Sequence, residues 1–213
     1  MPAGRVRWRG RQATDMIPGK FSAVLLAAGR STRMGRDKAL LPAPDGRRMW
    51  ERQRDVLHTA GAAEVFLSAR PDQAWVRDTR GFAARLHDGL ADGGPMVGIT
   101  AALERTERSH VMVLAIDLPR MTPEWLAARA AACSPTAGVV ARRGEFFEPL
   151  AAIYPRELRW LAWEVLARAE YSLQRLLAAA VAAGLMQAYA LPDPEMPLFE
   201  NWNERGAAPP VHA

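Results

Sequence analysis

Residues 24–42 read VLLAAGRSTRMGRDKALLP. The stretch starts as an unbroken apolar run and narrows to small residues at Ala27, Ala28 and Gly29. It then carries Arg30, Arg33, Arg36 and Lys38 before turning apolar again. An apolar run without alternation marks a strand covered on both faces, as in a parallel sheet. Small residues after such a strand let the backbone approach a ligand, and consecutive N–H groups can point at anionic oxygens. Arginine and lysine nearby add charge-assisted hydrogen bonds. The stretch therefore reads as a strand feeding a phosphate-binding loop; the plainer alternative is a strand-to-helix connection with solvated arginines. Two familiar phosphate loops are excluded on spacing. Five residues separate Gly29 from Gly35 and Arg36 follows, so G-x-x-x-x-G-K-[ST] fails, and G-x-G-x-x-G is missing too.

Outward from this loop, strands and helices alternate. Residues 22–26, 64–68 and 111–115 read as strands, and 49–60 as a helix stopped at Gly61. A helix over 95–104 follows the GGP opening. Another begins at Thr122-Pro123-Glu124, with a hydroxyl cap, a first-position proline and an acid in its first turn. Residues 138–141 and 149–154 read as short strands around a charged turn. Leu158, Leu161, Ala162, Val165 and Leu166 recur at helical spacing. So do Leu173, Leu176, Leu177, Ala180 and Val181, after the capping residue Ser172. Residues 185–191 read as a last strand before an irregular, proline-rich end. This alternation predicts an α/β single domain with a mostly parallel sheet and helices on both faces. Ligands of such sheets bind beyond the carboxyl ends of the strands, where both the Gly29 loop and Asp117 fall.

The chain has 213 residues, 49% of them hydrophobic, an ordinary globular composition. Its formal charge of +5 is concentrated in residues 1–20, which hold five basic residues and one acid. That segment reads as a basic, disordered extension (1–20) ahead of the domain (21–206), with 207–213 as a tail and Met16 as an alternative start. Nucleic acid binding would rest on the extension alone and is not expected. No apolar run reaches the roughly 20 residues a membrane helix needs, and no signal-peptide core follows the basic start. Cys133 is the only cysteine. No internal disulfide or cysteine zinc site can form, and a cytoplasmic location is expected.

Taken whole, L-A-A-G-x-S-x-R-M-G-x-x-K-x-L-L resembles the signature of nucleotidyltransferases. It is most similar to the molybdenum cofactor guanylyltransferases (MobA-like NTP transferases) and their cytidylyltransferase relatives. Later stretches fall in the family's order: DGLADGGPMVGITAALE (88–104), LAIDLPRMTPEWL (114–126), FEPLAAIYP (147–155) and FENWNERG (199–206). The resemblance spans residues 21–205. It implies a Rossmann-like nucleotidyltransferase fold and Mg²⁺-dependent transfer of GMP from GTP to the terminal phosphate of molybdopterin, releasing pyrophosphate. It further implies that Leu26, Ala27, Ala28, Gly29 and Gly35 line the nucleotide. Arg33 and Lys38 would hold its phosphates, and Asp88, Pro95 and Gly98 would contact or shape the nucleoside site. Asp117 and Asn203 would serve the metal, with Lys38, Arg33 and Asp117 as the catalytic set. Molybdoenzyme maturation proteins are the implied protein partners.

Each residue also has a plainer reading. Asp117 could cap the turn before Thr122, Asn203 could be a turn residue, and Asp88 a surface acid. Glu148 could orient the acceptor or pair with Arg142 or Arg143. His87 reads as structural, and Trp160 and Trp163 as core or interface. Three departures bear on base choice and geometry. Ala28 stands where the guanylyl branch has a second glycine, as in the cytidylyl branch. Arg70 lies where the guanylyl branch tends to have asparagine, and Glu-Arg-Gly follows Asn203. The alternatives are therefore CTP-dependent cytidylyl transfer, a sugar-phosphate acceptor, or a non-enzymatic nucleotide-binding regulator or cofactor chaperone.

Overall fold

The computed structural model describes residues 21–29, 37–78, 80–86 and 93–202. Strand β1 (Phe21–Leu26) is buried along its whole length. On one side it pairs with β2 (Val65–Ser68) and on the other with β4 (His110–Ala115), both in parallel. Strand β3 (Ala84–Leu86) lies parallel to β2. Beyond β4 come β6 (Phe146–Pro155), β5 (Gly138–Arg143) and β7 (Met186–Ala190). The order is β3-β2-β1-β4-β6-β5-β7, and among the described strands β6 alone runs against the rest.

Side chains of β1 and β4 alternate between two cores. Ala23, Leu25, Met112 and Leu114 face helices α1 (Met49–Thr59) and α3 (Pro123–Ala132). Val24, Leu26, Val111 and Val113 face α2 (Gly94–Arg105), α4 (Arg159–Ala167) and α5 (Leu173–Ala182). With both faces covered, polar alternation disappears from these strands, which is why they read as continuous apolar runs. The crossover through α1 carries the chain from β1 to β2, and the one through α2 carries it back past β1 to β4. Crossovers of one hand in opposite directions place their helices on opposite faces. The reversal leaves a gap between the carboxyl ends of β1 and β4. Their register, Leu26 beside Ala115, ends both strands at the same height.

Local chemistry accounts for the boundaries. Thr122 Oγ1 accepts from the Trp125 N–H at 3.2 Å, with Pro123 behind it. Gly61 follows α1 at φ +98. The β5–β6 hairpin turns at Gly144, φ +58, and is longer than its sequence suggests. Its outer pairs, Arg142–Phe147 and Arg143–Phe146, set exposed arginines beside exposed Phe146 and beside Phe147, which packs at the margin of the second core, so they show no regular alternation. Pro149 sits where the β5–β6 register shifts, so its missing N–H costs no ladder bond. The wholly buried Tyr154 donates its hydroxyl to Pro149 O at 2.8 Å.

Three expectations need correction. The three-residue strand β3 lacks an apolar run and was not anticipated. The end expected to be irregular contains a 3₁₀ segment, Asp193–Phe199, that buries Phe199 and leads to buried Trp202. Trp160 and Trp163, expected in the core or at an interface, do not lie in the core. They are 63% and 50% exposed, with Trp160 under the Arg159 guanidinium and Trp163 Nε1 donating to Glu104. Among the described residues, no helix is long and apolar enough to cross a membrane.

Candidate active site

Two charged side chains meet at the gap between β1 and β4. Asp117 lies just past β4, where the Ile116 N–H donates to Leu26 O at 3.0 Å and continues the pairing beyond β1. Lys38 opens the 3₁₀ turn Lys38–Leu40. Lys38 Nζ lies 3.2 Å from Asp117 Oδ2, and the two side chains are 18% and 19% exposed. A half-buried pair in this setting interacts more strongly than a surface pair. Helix α3 is capped by Thr122, whereas the Asp117 carboxylate faces Lys38, so the capping reading of Asp117 is set aside.

The backbone around Asp117 is held from three directions. Trp202 N–H donates to Asp117 O at 3.0 Å. Helix α1 supplies Gln53, whose Nε2 donates to Leu118 O at 2.7 Å, and Arg52, whose Nη2 donates to Met121 O at 3.1 Å. Burial pushes the Arg52 pKa down from its ordinary value.

Leu26, Ala27, Ala28, Gly29, Lys38 and Asp117 come together at this gap. Leu26 and Ala27 are buried, Ala28 is half-buried and Gly29 is exposed. Gly98 approaches from α2 and is buried. A Cβ there would stand 2.4 Å from Ser68 Oγ and 2.9 Å from Leu26 Cδ2. Glycine at 98 thus allows α2 to press on the ends of β1 and β2. Pro95 is exposed in the first turn of α2. Arg33, Gly35, Asp88 and Asn203 lie outside the described residues, as do Arg30, Arg36 and His87. Trp202, directly before Asn203 in the chain, is the residue bonded to Asp117. Glu148 pairs with Arg143 at 2.6 Å, one of its two expected roles. Sequence reading missed Asp37, Gln53, Gln73 and Trp75, and it read Arg70 only as a departure. Asp37 alone carried a local signal, as a capping-type residue just before Lys38.

The sequence and the fold both have counterparts among known proteins. Residues 23–186 match the family described as the MobA-like NTP transferase domain. The chain belongs to this family. It is a nucleotidyltransferase. A relative from Opitutus terrae named "Probable molybdenum cofactor guanylyltransferase" is 37% identical over 86% of this chain and 90% of its own length. A Pseudomonas putida molybdenum cofactor guanylyltransferase is 31% identical over 77% of this chain and 85% of its own. The fold is similar to that of molybdopterin-guanine dinucleotide biosynthesis protein A from Archaeoglobus fulgidus. There the TM-score is 0.64 at 23% identity, covering 85% of this chain and 92% of that one.

Proposed function

We propose that the chain transfers GMP from GTP to the terminal phosphate of molybdopterin, in the cytoplasm and with Mg²⁺, releasing pyrophosphate. The observation that carries the reading is the Lys38–Asp117 pair at the mouth of a small-residue loop between β1 and β4. The named activity of the relatives supports the choice of substrates.

An oxygen of the acceptor phosphate attacks the α-phosphorus, and the bond from that phosphorus to the bridging oxygen of the β-phosphate breaks. Pyrophosphate leaves with the electron pair. A phosphate monoester is already an anion at neutral pH, so no protein nucleophile is needed. The barrier lies in bringing an anion to a polyanion, and positioning and charge neutralisation lower it. Lys38 supplies a cation at the phosphates and Arg33 a second. Backbone amides after β1 approach the phosphate oxygens, and Ala28 and Gly29 leave them room. Asp88, Pro95 and Gly98 belong to the nucleoside side.

Among the described residues, no three His, Cys, Asp or Glu side chains form a protein-only metal cage. The Asp117 carboxylate at the site fits Mg²⁺, which takes one or two carboxylates and completes its shell with substrate phosphates and water. Asp117 would hold it, with Asn203 as a neutral oxygen donor. The ion would neutralise charge on the phosphate oxygens.

Ala28 favours a second reading, CTP as donor, because one extra methyl in the loop narrows the room for a base. The test is to incubate the protein with Mg²⁺, molybdopterin and each triphosphate separately and to measure pyrophosphate. Release with GTP is expected. Release with CTP alone overturns the base assignment, and release with none refutes the activity.

A further inference from the structure

The carbonyl groups that follow β1 turn toward one neighbour, the segment between β2 and β3. Gln73 Nε2 donates to Ala27 O at 3.0 Å. Arg70 Nη1 donates to Ala28 O at 2.7 Å and to Gly29 O at 2.8 Å. Gln73 is only 4% exposed, so its amide depends on protein partners. Its Nε2 also donates to Asp37 Oδ2 at 2.7 Å, and its Oε1 accepts the Arg70 N–H at 2.7 Å. The reversed amide would set an oxygen against two acceptors, so the network selects this orientation. Trp75 Nε1 donates to the same Asp37 oxygen at 2.7 Å. Asp37 Oδ1 accepts from the Ala39 N–H at 3.0 Å, fixing the turn that carries Lys38. Gln73 therefore grips the chain both where it leaves β1 and where it returns to Lys38.

A trans peptide group is planar, with its C=O and N–H antiparallel. The N–H groups of Ala28 and Gly29 share planes with the carbonyls of Ala27 and Ala28. Anchoring those carbonyls on the β2 side turns the N–H edges the other way, and β4 lies on that other side of β1. We infer that Arg70 and Gln73 are positioning residues for the triphosphate. They hold the peptide groups after β1 so that the N–H edges face the anion, and through Asp37 they tie that orientation to Lys38. The inference rests on reading the β1–β4 gap as the nucleotide site. Arg70 suits the task because its Nη1 presents both N–H bonds to the two carbonyls in a plane fixed by the guanidinium, whose Nε donates to Asp72 Oδ1 at 3.0 Å, and a freely rotating ammonium has no such second anchor.

The test uses the full chain with Mg²⁺ and compares wild type with Arg70→Lys, Arg70→Ala and Gln73→Ala. GTP and CTP are each titrated by calorimetry, and the kinetics of pyrophosphate release are measured with molybdopterin. Losing the planar, Asp72-anchored guanidinium is expected to weaken triphosphate binding roughly tenfold in both Arg70 variants and to raise its KM alike. The kcat and the KM for the acceptor should stay within about threefold of wild type, a split that mere loosening of the fold would not produce. Gln73→Ala should behave similarly, and its melting temperature separates that effect from unfolding. Near-wild-type affinity in Arg70→Lys beside a loss in Arg70→Ala would mean that Arg70 acts by charge alone, and would overturn the inference. Unchanged affinity in both would overturn it as well. A wild-type chain that binds neither triphosphate refutes the nucleotide site itself, and the inference with it.

Discussion

Replacing Lys38 with alanine should separate turnover from stability. At 3.2 Å and an effective dielectric near 20, the Lys38–Asp117 attraction is about 5 kcal/mol before desolvation and side-chain entropy are counted. Both groups are partly solvated, which reduces the net contribution to folding to about 1–2 kcal/mol. In a domain of this size each kcal/mol moves the melting temperature by about 2–4 °C, so Lys38→Ala should melt about 2–8 °C lower. The effect on chemistry is larger. Removing a preorganised partner of developing charge costs on the order of 10²–10³ in kcat. Pyrophosphate release and thermal melting on one preparation read out both quantities. A kcat within about threefold of wild type would refute the role given to Lys38. So would a melting temperature more than about 15 °C lower, which would make the residue structural.

Gly98→Ala should destabilise the fold by about 1 kcal/mol despite alanine's better helix propensity. Its Cβ would sit 2.4 Å from Ser68 Oγ, and overpacking outweighs a propensity gain of about 1 kcal/mol; urea unfolding that shows stabilisation would contradict this. Tyr154→Phe leaves Pro149 O without its donor and should cost about 1–2 kcal/mol in the same assay while leaving kcat near wild type. The third prediction concerns pH. Burial lowers the pKa of His110, whose Nδ1 lies 2.9 Å from Ser109 Oγ. The unfolded chain therefore binds the proton first. The stability that neutral His110 permits is full above its ordinary value of about 6.5 and is lost as pH falls toward the depressed folded value. Urea midpoints at pH 7.5 and 5.5 should differ more for wild type than for His110→Leu, and an equal difference would exclude this cause.

The parts of the fold legible in sequence are those where one physical demand acts on consecutive residues. Strands β1 and β4 are covered on both faces, so every position but Ser22 and His110 is apolar. Thr122-Pro123-Glu124 meets the needs of a helix start within three residues. Strand β3 was missed because three residues of uneven burial make no pattern. The hairpin was shortened because its outer pairs mix Arg142 and Arg143 with an exposed Phe146 and a half-buried Phe147, which gives no regular alternation. A family signature singled out Lys38 and Asp117 one by one, and the strand-end rule placed Asp117 beyond β4, but their ion pair was not anticipated. The hydrogen bonds from Arg70 and Gln73 to residues 27–29 and to Asp37 were not anticipated, because partners about 40 residues apart leave no periodic trace. A buried glutamine looks like a surface one until the chain is folded.

The central claim is that a nucleoside monophosphate moves to the acceptor while pyrophosphate leaves, and radiolabelled GTP tests it most directly. With molybdopterin and Mg²⁺ present, label in the α-phosphate should appear in the acceptor product, and label in the γ-phosphate should appear only in pyrophosphate. Gamma label on the acceptor, or α label released as free GMP with none on the acceptor, would contradict the account.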